Sequence, residues 1–270
     1  MKNTYSTPMH ASRLVLVALV VAMCGQVHSQ DSKGNNREKW VDFYVPHANE
    51  VMPYRLMEPL GFDSSKRYPV IVSLHGGGGS GNDNRKQLKV WNEQLADSEL
   101  RSDFPCYVLA PQADHLWDAV HLEIIKELIT ELPSVDMDRI YMLGHSMGGH
   151  GTNVLIQLDP GYFAAVAPSA GTGRKQDEDF IDAILIKDIP IWAFHGDNDN
   201  VCPIGPQLTL FEEMKKLGGN MKLTTWAGDG HGVSGKFITG ADNGTTQVSS
   251  DRCDPEQDFM KWLFAQSLSK

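Results

Sequence analysis

The sequence predicts an α/β fold, in which helices cover both faces of a mainly parallel β-sheet. Two observations support this prediction. Strand-like apolar runs alternate with helical segments between residues 41 and 268, which is typical of βαβ units. Within that alternation, the segment 69–74 (Pro-Val-Ile-Val-Ser-Leu) is almost wholly apolar, as expected of a strand that is buried on both faces. The chain of 270 residues suits one domain of this class.

The predicted elements follow one another with short connections. The first two strands, 41–45 and 54–57, are expected to form a leading antiparallel hairpin. The helix 120–132 carries apolar residues at positions 120, 124, 125, 128 and 132, which lie on one helical face. About twenty residues separate the strands 163–167 and 189–194, too few for a large cap domain over the sheet. The other strands are predicted at 69–74, 107–110, 140–143 and 222–226, and the other helices at 85–96, 148–158, 206–217 and 256–266.

The N-terminus has the pattern of a secretory signal peptide. Lys2 and Arg13 precede the apolar run 14–23, and a polar tail ends at Ser29. The run is about half as long as a membrane-spanning helix requires. We therefore predict a signal peptide over 1–29, cleaved after Ser29, and a secreted or periplasmic protein without a membrane span.

The segment 30–40 is polar and is predicted to be a linker, so that the folded domain extends over 41–268. A lipid anchor at Cys24 is the competing interpretation of the N-terminus. It is disfavoured because bulky Met23 stands where lipoproteins carry a small residue.

The composition is acidic. The whole chain has a formal net charge of −10, and loss of residues 1–29, which contain two basic and no acidic side chains, leaves 22 Lys and Arg against 34 Asp and Glu, a net charge of −12. Such a surface repels polyanions. Nucleic acids and anionic membranes are therefore disfavoured as partners, whereas neutral or cationic substrates remain open. Nothing in the sequence specifies an oligomeric state.

Three cysteines follow the predicted signal peptide. An exported compartment permits a disulfide, but three cysteines leave one unpaired. Cys106 lies in an apolar, strand-like run and is expected to be a buried free thiol. Cys202 and Cys253 are expected either to be free as well or, as the less favoured alternative, to form a bridge.

The segment 144–148 (Gly-His-Ser-Met-Gly) lies between the strand 140–143 and the helix 148–158. A Gly-x-Ser-x-Gly sequence in that context predicts a nucleophile elbow, a turn so tight that the positions two before and two after the serine cannot carry a Cβ. The turn would expose the Ser146 hydroxyl and direct the Met147 backbone N–H towards a developing oxyanion. Ser146 is therefore the predicted nucleophile.

A glycine-rich segment, 75–79 (His-Gly-Gly-Gly-Gly), follows the buried strand 69–74. Glycines at the carboxyl end of a strand allow backbone N–H groups to converge on one point. We predict an oxyanion hole formed by Gly76, Gly77 and Met147. A phosphate-binding loop would require Gly-Lys-Ser/Thr, which is absent here.

The general base should be a histidine late in the chain, because the triad order in folds with a nucleophile elbow is serine, acid, histidine. Only His150, His195 and His231 follow Ser146. His150 lies one helical turn beyond Ser146 and cannot easily approach it in line, and His195 ends a buried strand. His231, in the flexible glycine-rich segment 228–232, is the predicted base.

The acid should follow a strand between the serine and the histidine. Asp197 and Asp199 both lie in the segment after the strand 189–194, and the residues alone leave the choice between them open. An acidic run at 177–179 is more consistent with a solvated surface segment.

Several motifs together resemble a family of secreted α/β-hydrolases that includes esterases labelled predicted peptidases or phospholipase/carboxylesterase-like proteins. This family is similar to feruloyl esterases, acetyl-xylan esterases and polyhydroxybutyrate depolymerases. The resemblance covers roughly residues 41–268. It implies an α/β-hydrolase fold with Ser146, Asp199 and His231 as the catalytic triad. The motifs are 68–83 (Tyr-Pro-Val-Ile-Val-Ser-Leu-His-Gly-Gly-Gly to Gly-Asn-Asp), 110–112 (Ala-Pro-Gln), 138–149, 190–197 (Pro-Ile-Trp-Ala-Phe-His-Gly-Asp) and 262–266.

The resemblance implies hydrolysis of carboxylic esters through an acyl-enzyme, with neither a metal nor a cofactor. Candidate substrates are small-molecule esters or acyl groups on a polysaccharide. Trp117, His145 and His150 are candidate substrate contacts, with Trp117 either a stacking surface or an ordinary core residue. The alternatives are a serine peptidase on the same fold and a non-catalytic module that binds carbohydrate or a protein partner.

Overall fold

The sheet organises the molecule. The computed structural model describes residues 36–49, 51–171 and 181–269. In these residues nine strands form one sheet in the spatial order 1-2-4-3-5-6-7-8-9. The strands are β1 (Val45–His47), β2 (Tyr54–Met57), β3 (Tyr68–Leu74), β4 (Tyr107–Pro111), β5 (Val135–His145), β6 (Ala165–Ser169), β7 (Ile191–Gly196), β8 (Met221–Trp226) and β9 (Gly244–Val248).

The pairing of the strands confirms the predicted α/β class. The six strands from β4 through β3 and β5 to β8 are parallel. The predicted leading hairpin is present, since β1 pairs with β2 in antiparallel orientation, and β2 pairs in the same way with β4. The helices are α1 (Asn36–Val41), α2 (Val90–Leu95), α3 (Ser98–Asp103), α4 (Ala119–Glu131), α5 (Met147–Leu158), α6 (Ala183–Ile186), α7 (Gly205–Lys216) and α8 (Phe259–Phe264).

Helices cover the sheet on both faces, which explains why every residue of β3 is buried. Val70, Val72 and Leu74 belong to a core cluster that includes residues of α4, α5 and α7. Ile71 belongs to a second cluster that includes residues of α2 and α8. Successive residues of β3 therefore contribute to opposite faces, as the alternation of side chains along a strand requires.

Apart from boundary shifts of a few residues and the short helices α3 and α6, which were not predicted, four details differ from the predicted elements. A helix, α1, occupies residues assigned to the linker and to the first strand, which begins only at Val45. The helix predicted from residue 85 starts at Val90. In α4 the buried face contains His121 and Leu122, whereas Val120, predicted to be buried, is 62% exposed.

The fourth difference is β9, which the sequence analysis missed. Its sequence, Gly-Thr-Thr-Gln-Val, is largely polar and mostly exposed, so it lacks the alternation that marks a half-buried strand. Backbone pairing with β8 forms this antiparallel edge.

The predicted signal peptide, the Cys24 alternative and the acidic run 177–179 lie outside the described residues. Within them, no helix is both long and apolar enough to cross a membrane. The connection from β6 to β7 comprises residues 170–190, and its helical part within the described residues is the four-residue α6.

Candidate active site

Ser146 lies between the end of β5 and the start of α5. Its backbone is in a left-handed region, with φ 57° and ψ −118°. Residues other than glycine rarely adopt a positive φ, and such strain persists only where the surrounding structure enforces it. Ser146 N donates to the carbonyl oxygen of Ser169 at 2.9 Å, which connects the turn to the end of β6.

Two glycines make the turn sterically possible, as predicted. A Cβ on Gly144 would lie 2.1 Å from the carbonyl oxygen of Gly148. A Cβ on Gly148 would lie 2.2 Å from the carbonyl oxygen of Leu74, at the end of β3. Both distances are far below contact, and the obstructing atoms belong to the backbone. The sequence around Ser146 therefore produces a tight elbow between β5 and α5.

The side chains of Ser146, His231 and Asp199 form a hydrogen-bonded chain. Ser146 Oγ donates to His231 Nε2 at 2.9 Å, and His231 Nδ1 donates to Asp199 Oδ2 at 2.8 Å. The three residues follow β5, β8 and β7, whose carboxyl ends meet at the same edge of the parallel sheet. An imidazole held between a carboxylate and a hydroxyl in this way can act as a base towards the hydroxyl.

The structure distinguishes the two candidate acids. Asp199 Oδ1 accepts hydrogen bonds from the backbone N–H groups of Val201 and Cys202, both at 2.9 Å, while Oδ2 accepts from His231 and lies 3.5 Å from His195 Nε2. Burial raises the pKa of Asp199, but the bonds from His231 and from the two backbone groups outweigh burial and hold the pKa below its ordinary value. Asp197 instead accepts from the backbone N–H of Gly228 and shapes the adjoining turn.

Gly76 and Met147 both adjoin Ser146. A Cβ on Gly76 would lie 3.1 Å from Ser146 Cβ and 3.7 Å from Ser146 Oγ. Met147 is the first residue of α5, so its N–H is one of the groups that have no acceptor within the helix. Gly77 opens the 3₁₀ turn Gly77–Gly79, and a Cβ there would meet open space. The positions of these residues are compatible with a shared oxyanion site.

His75 supports the glycine segment, a role that the sequence analysis missed. Its ring Nδ1 donates to the carbonyl oxygen of Gly76 at 2.8 Å, and Nε2 accepts from the backbone N–H of Ala113 at 3.0 Å. These two bonds require the neutral Nδ1–H tautomer. Burial lowers the pKa of His75 to about 4, which keeps the ring neutral at physiological pH. The only sequence signal for this role is its place immediately before the glycines.

His145 and His150 lie on either side of the elbow. The ring centroid of His145 is 4.8 Å from that of His231, and its Nδ1 is 3.2 Å from Ser169 Oγ. Burial, and then the neighbouring His231, lower the pKa of His145 to about 3. His150 is partly buried, and its backbone N–H donates to the carbonyl oxygen of Ser146. Contact of either side chain with a substrate stays a prediction.

Trp117 is not a stacking surface. Its side chain is only 3% exposed, and its Nε1 donates to the carbonyl oxygen of His75 at 3.2 Å. A Cβ on Gly151 would lie 2.5 Å from the indole ring, so Trp117 packs directly against α5. The alternative of ordinary core packing is correct, because the loop after β4 folds the ring underneath the glycine segment.

The disulfide hypothesis is wrong, since Cys106, Cys202 and Cys253 are all free. Cys253 is buried and its Sγ donates to the carbonyl oxygen of Met221. Cys202 is partly buried, and its thiol lies close enough to the side chain of Ser146 for that side chain to lower the pKa of the thiol. The proximity of Cys202 to Ser146 could not be foreseen, because it depends on how the loop after β7 folds.

The fold and the arrangement at the elbow are those of an α/β-hydrolase. Residues 112–263, more than half of the chain, match the dienelactone hydrolase family, and the protein belongs to this family of hydrolases. No curated protein sequence matches the chain.

Solved structures show the same fold. A thermostable esterase is 29% identical with a TM-score of 0.65, and the match covers 85% of this chain and 64% of the esterase. An acylaminoacyl peptidase from Pyrococcus horikoshii is 17% identical with a TM-score of 0.58, covering 74% of this chain and 40% of the peptidase. A ferulic acid esterase from the anaerobic fungus Anaeromyces mucronatus is 18% identical with a TM-score of 0.53, covering 72% of this chain and 86% of that enzyme. This chain therefore spans less than two thirds of the esterase and of the peptidase.

Proposed function

We propose that the protein is a secreted serine esterase that hydrolyses carboxylic esters through an acyl-enzyme. The observation that carries the proposal is the hydrogen-bonded chain from Asp199 through His231 to Ser146, whose hydroxyl is held on a strained elbow beside the glycine segment. Nucleophile, base and orienting acid are thus already within hydrogen-bond distance of one another.

In the proposed acylation step, Ser146 Oγ attacks the ester carbonyl carbon while its proton passes to His231 Nε2. Asp199, bound to Nδ1–H, maintains the tautomer with a free Nε2 and stabilises the imidazolium that forms. The backbone N–H groups of Met147, Gly76 and Gly77 are the proposed donors to the oxyanion. Removing one such donor in a serine hydrolase costs about 3–4 kcal/mol of transition-state stabilisation.

The tetrahedral intermediate then collapses, and the C–O bond to the alcohol breaks. His231 returns its proton to the leaving alkoxide, which departs as the alcohol and leaves Ser146 acylated. Water next attacks the acyl carbon, giving its proton to His231, and the carboxylic acid is released as Ser146 recovers its proton. The cycle consumes one water and requires no redox change.

We further propose a bulky, neutral ester as the substrate class, such as an acyl group on a polysaccharide. Two properties support this. The acidic chain repels polyanionic substrates. The 21 residues between β6 and β7 are too few for a large cap domain, so a polymer can approach the serine.

The test is hydrolysis of p-nitrophenyl acetate, methyl ferulate, acetylated xylan and a chromogenic peptide by the protein and by Ser146→Ala. Ser98→Ala, an exposed serine on α3, is the matched control. We expect ester turnover that disappears in Ser146→Ala and persists in Ser98→Ala.

Labelling with a fluorophosphonate, which reacts with activated serines, provides an independent measurement. We expect labelling of the protein that is lost in Ser146→Ala. Preferential cleavage of the peptide would instead identify a peptidase. A folded protein that neither hydrolyses any substrate nor takes up the label would contradict the esterase proposal and favour a non-catalytic binding module.

A further inference from the structure

A second group of chemically reactive side chains lies at the start of α4, outside the hydrogen-bonded chain of Ser146, His231 and Asp199. It consists of His115, His121, Asp114 and Asp118, and it follows β4 on the same edge of the sheet. The ring centroids of His115 and His121 are 4.6 Å apart. The proposed hydrolysis uses none of these four residues.

Three of these side chains can reach one ion. Asp114, His115 and His121 each offer one ligand atom, and the three atoms all lie within 4.8 Å of one another. Ligand atoms around a tetrahedral zinc ion are about 3.4 Å apart, as metal–ligand distances of about 2.0–2.1 Å require. The candidate ligand atoms must therefore move closer together than the 4.8 Å limit within which they lie. Asp114 and His115 are exposed and can do so by small side-chain rotations, while buried His121 stays fixed.

Asp118 contacts both imidazole rings. Its Oδ2 lies 3.2 Å from His115 Nε2, its Oδ1 lies 2.8 Å from His121 Nδ1, and its backbone N–H lies 3.3 Å from that same nitrogen. The same carboxylate caps α4 by accepting from the backbone N–H groups of Val120 and His121, so its own position is fixed. A carboxylate that orients metal-binding imidazoles in this way is a common feature of metal sites and strengthens metal affinity.

We propose that Asp114, His115 and His121 form a binding site for a zinc ion, with Asp118 orienting the two rings. Two imidazoles and a carboxylate suit zinc and its transition-metal neighbours, whereas calcium and magnesium prefer oxygen ligands alone. A water molecule would complete a tetrahedral set. A cavity of about 360 Å³, lined in part by Asp114 and His121, opens beside the cluster and provides access for the ion and the water.

The proposed ion would stabilise the glycine segment 75–79 and would take no part in the ester hydrolysis. Asp114 follows Ala113, whose N–H binds the ring of His75. Trp117, between the ligands, binds the carbonyl oxygen of His75. Zinc would therefore tie together the loop that holds His75 in place, and the expected consequence is greater stability of the folded protein.

The metal-free explanation of the cluster is an ion pair, in which a protonated His115 bridges Asp114 and Asp118. Isothermal titration of the protein with zinc chloride, after removal of metals by EDTA, separates the two explanations. We compare the protein with the double variant Asp114→Asn/His115→Gln, whose exposed positions should not affect folding, and with His47→Gln, which removes a partly exposed histidine elsewhere.

We expect one zinc ion per chain, an affinity at least about 100-fold weaker in the double variant and unchanged binding in His47→Gln. Zinc at about 100 times its Kd should raise the Tm of the protein by roughly 5–10 °C and leave the Tm of the double variant unchanged. Absence of zinc binding by the protein, or equal binding by the double variant, would overturn the proposal.

Substitution with Co²⁺ tests the ligand set directly. Nitrogen and oxygen ligands give d–d bands without thiolate charge transfer, which is the expected spectrum. A thiolate band would place the ion at a cysteine instead and would equally overturn the assignment.

Discussion

His231 Nδ1 lies 2.8 Å from Asp199 Oδ2, and the second oxygen of Asp199 is held by two backbone N–H groups. The carboxylate is fully buried, whereas the imidazole is partly exposed. Asp199 is therefore fixed by its own loop, and its position determines the orientation of the ring. Nε2 then faces the hydroxyl of Ser146.

Replacing Asp199 with asparagine should reduce catalysis sharply. The amide can present N–H to His231 and so stabilise the tautomer that lacks a free Nε2. We expect kcat for p-nitrophenyl acetate to fall by about 10³–10⁴-fold with a small change in KM. Asp197→Asn, which keeps the oxygen that accepts from Gly228, is the control and should retain activity within about 10-fold. Equal losses in both variants would contradict the assignment of Asp199.

Gly148 should not tolerate a methyl group. In Gly148→Ala the new Cβ would meet the carbonyl oxygen of Leu74 at 2.2 Å, which forces the elbow away from β3. We expect the free energy of unfolding to fall by about 3 kcal/mol or more, which corresponds to a decrease of roughly 6–12 °C in Tm. Gly77→Ala, where a Cβ meets open space, should change the Tm by less than about 2 °C. Similar melting temperatures for both variants would show that the elbow can relax.

Alkylation of Cys202 should inactivate the enzyme, because its thiol adjoins the Ser146 side chain. Burial and the charge of Asp199 raise the pKa of this thiol, while the neighbouring side chain of Ser146 lowers it, and the net shift is upward. The alkylation rate with iodoacetamide should therefore keep increasing above pH 9.

The matched variant is Cys202→Ala, which should remain active and become insensitive to the reagent. Cys106 and Cys253 are buried and should react slowly. Mass spectrometry identifies the modified residue. Full activity of protein alkylated at Cys202 would contradict the placement of this thiol beside Ser146.

His145 should contribute to acid sensitivity. Its pKa is about 3 in the folded protein and about 6.5 in the unfolded chain. Between these values the unfolded state binds the extra proton, so the free energy of unfolding falls as the pH falls from 6.5 towards 3. In His145→Gln this contribution is absent. Between pH 6.5 and pH 4.5 the free energy of unfolding of the variant should therefore fall by about 2 kcal/mol less than that of the unmodified protein.

Urea unfolding at the two pH values measures the difference. His47→Gln, which removes a partly exposed imidazole, is the control and should follow the unmodified protein. An identical pH dependence of the protein and His145→Gln would show that the fold does not lower the pKa of His145.

Much of the architecture was predictable because it depends on local rules. The steric demand at Gly144 and Gly148 follows from the geometry of a strand–serine–helix turn, and the structure confirms it. Burial of β3 on both faces follows from its apolar run. The same reasoning failed for β9, whose polar residues form a strand only because β8 offers an unpaired edge.

Long-range contacts explain most of what could not be predicted at the site. Trp117 was a candidate for substrate stacking, but the loop after β4 buries it beneath His75. The roles of His75 and Cys202 likewise depend on segments far away in the chain. The signal peptide stays a prediction, since its residues lie outside those described.

Most of the order of strands and helices, the elbow and the candidate nucleophile follow from the sequence alone, because periodicity and backbone sterics act over a few residues. Asp199 was implied by the family resemblance, but the hydrogen bonds that distinguish it from Asp197 required the folded chain. The neutral ring of His75 and the grouping of Asp114, His115 and His121 required it as well. His231 forms its two hydrogen bonds with Asp199, which is 32 positions away in the chain, and with Ser146, which is 85 positions away. Contacts at such separations arise only where the parallel sheet brings the ends of its strands to a common edge.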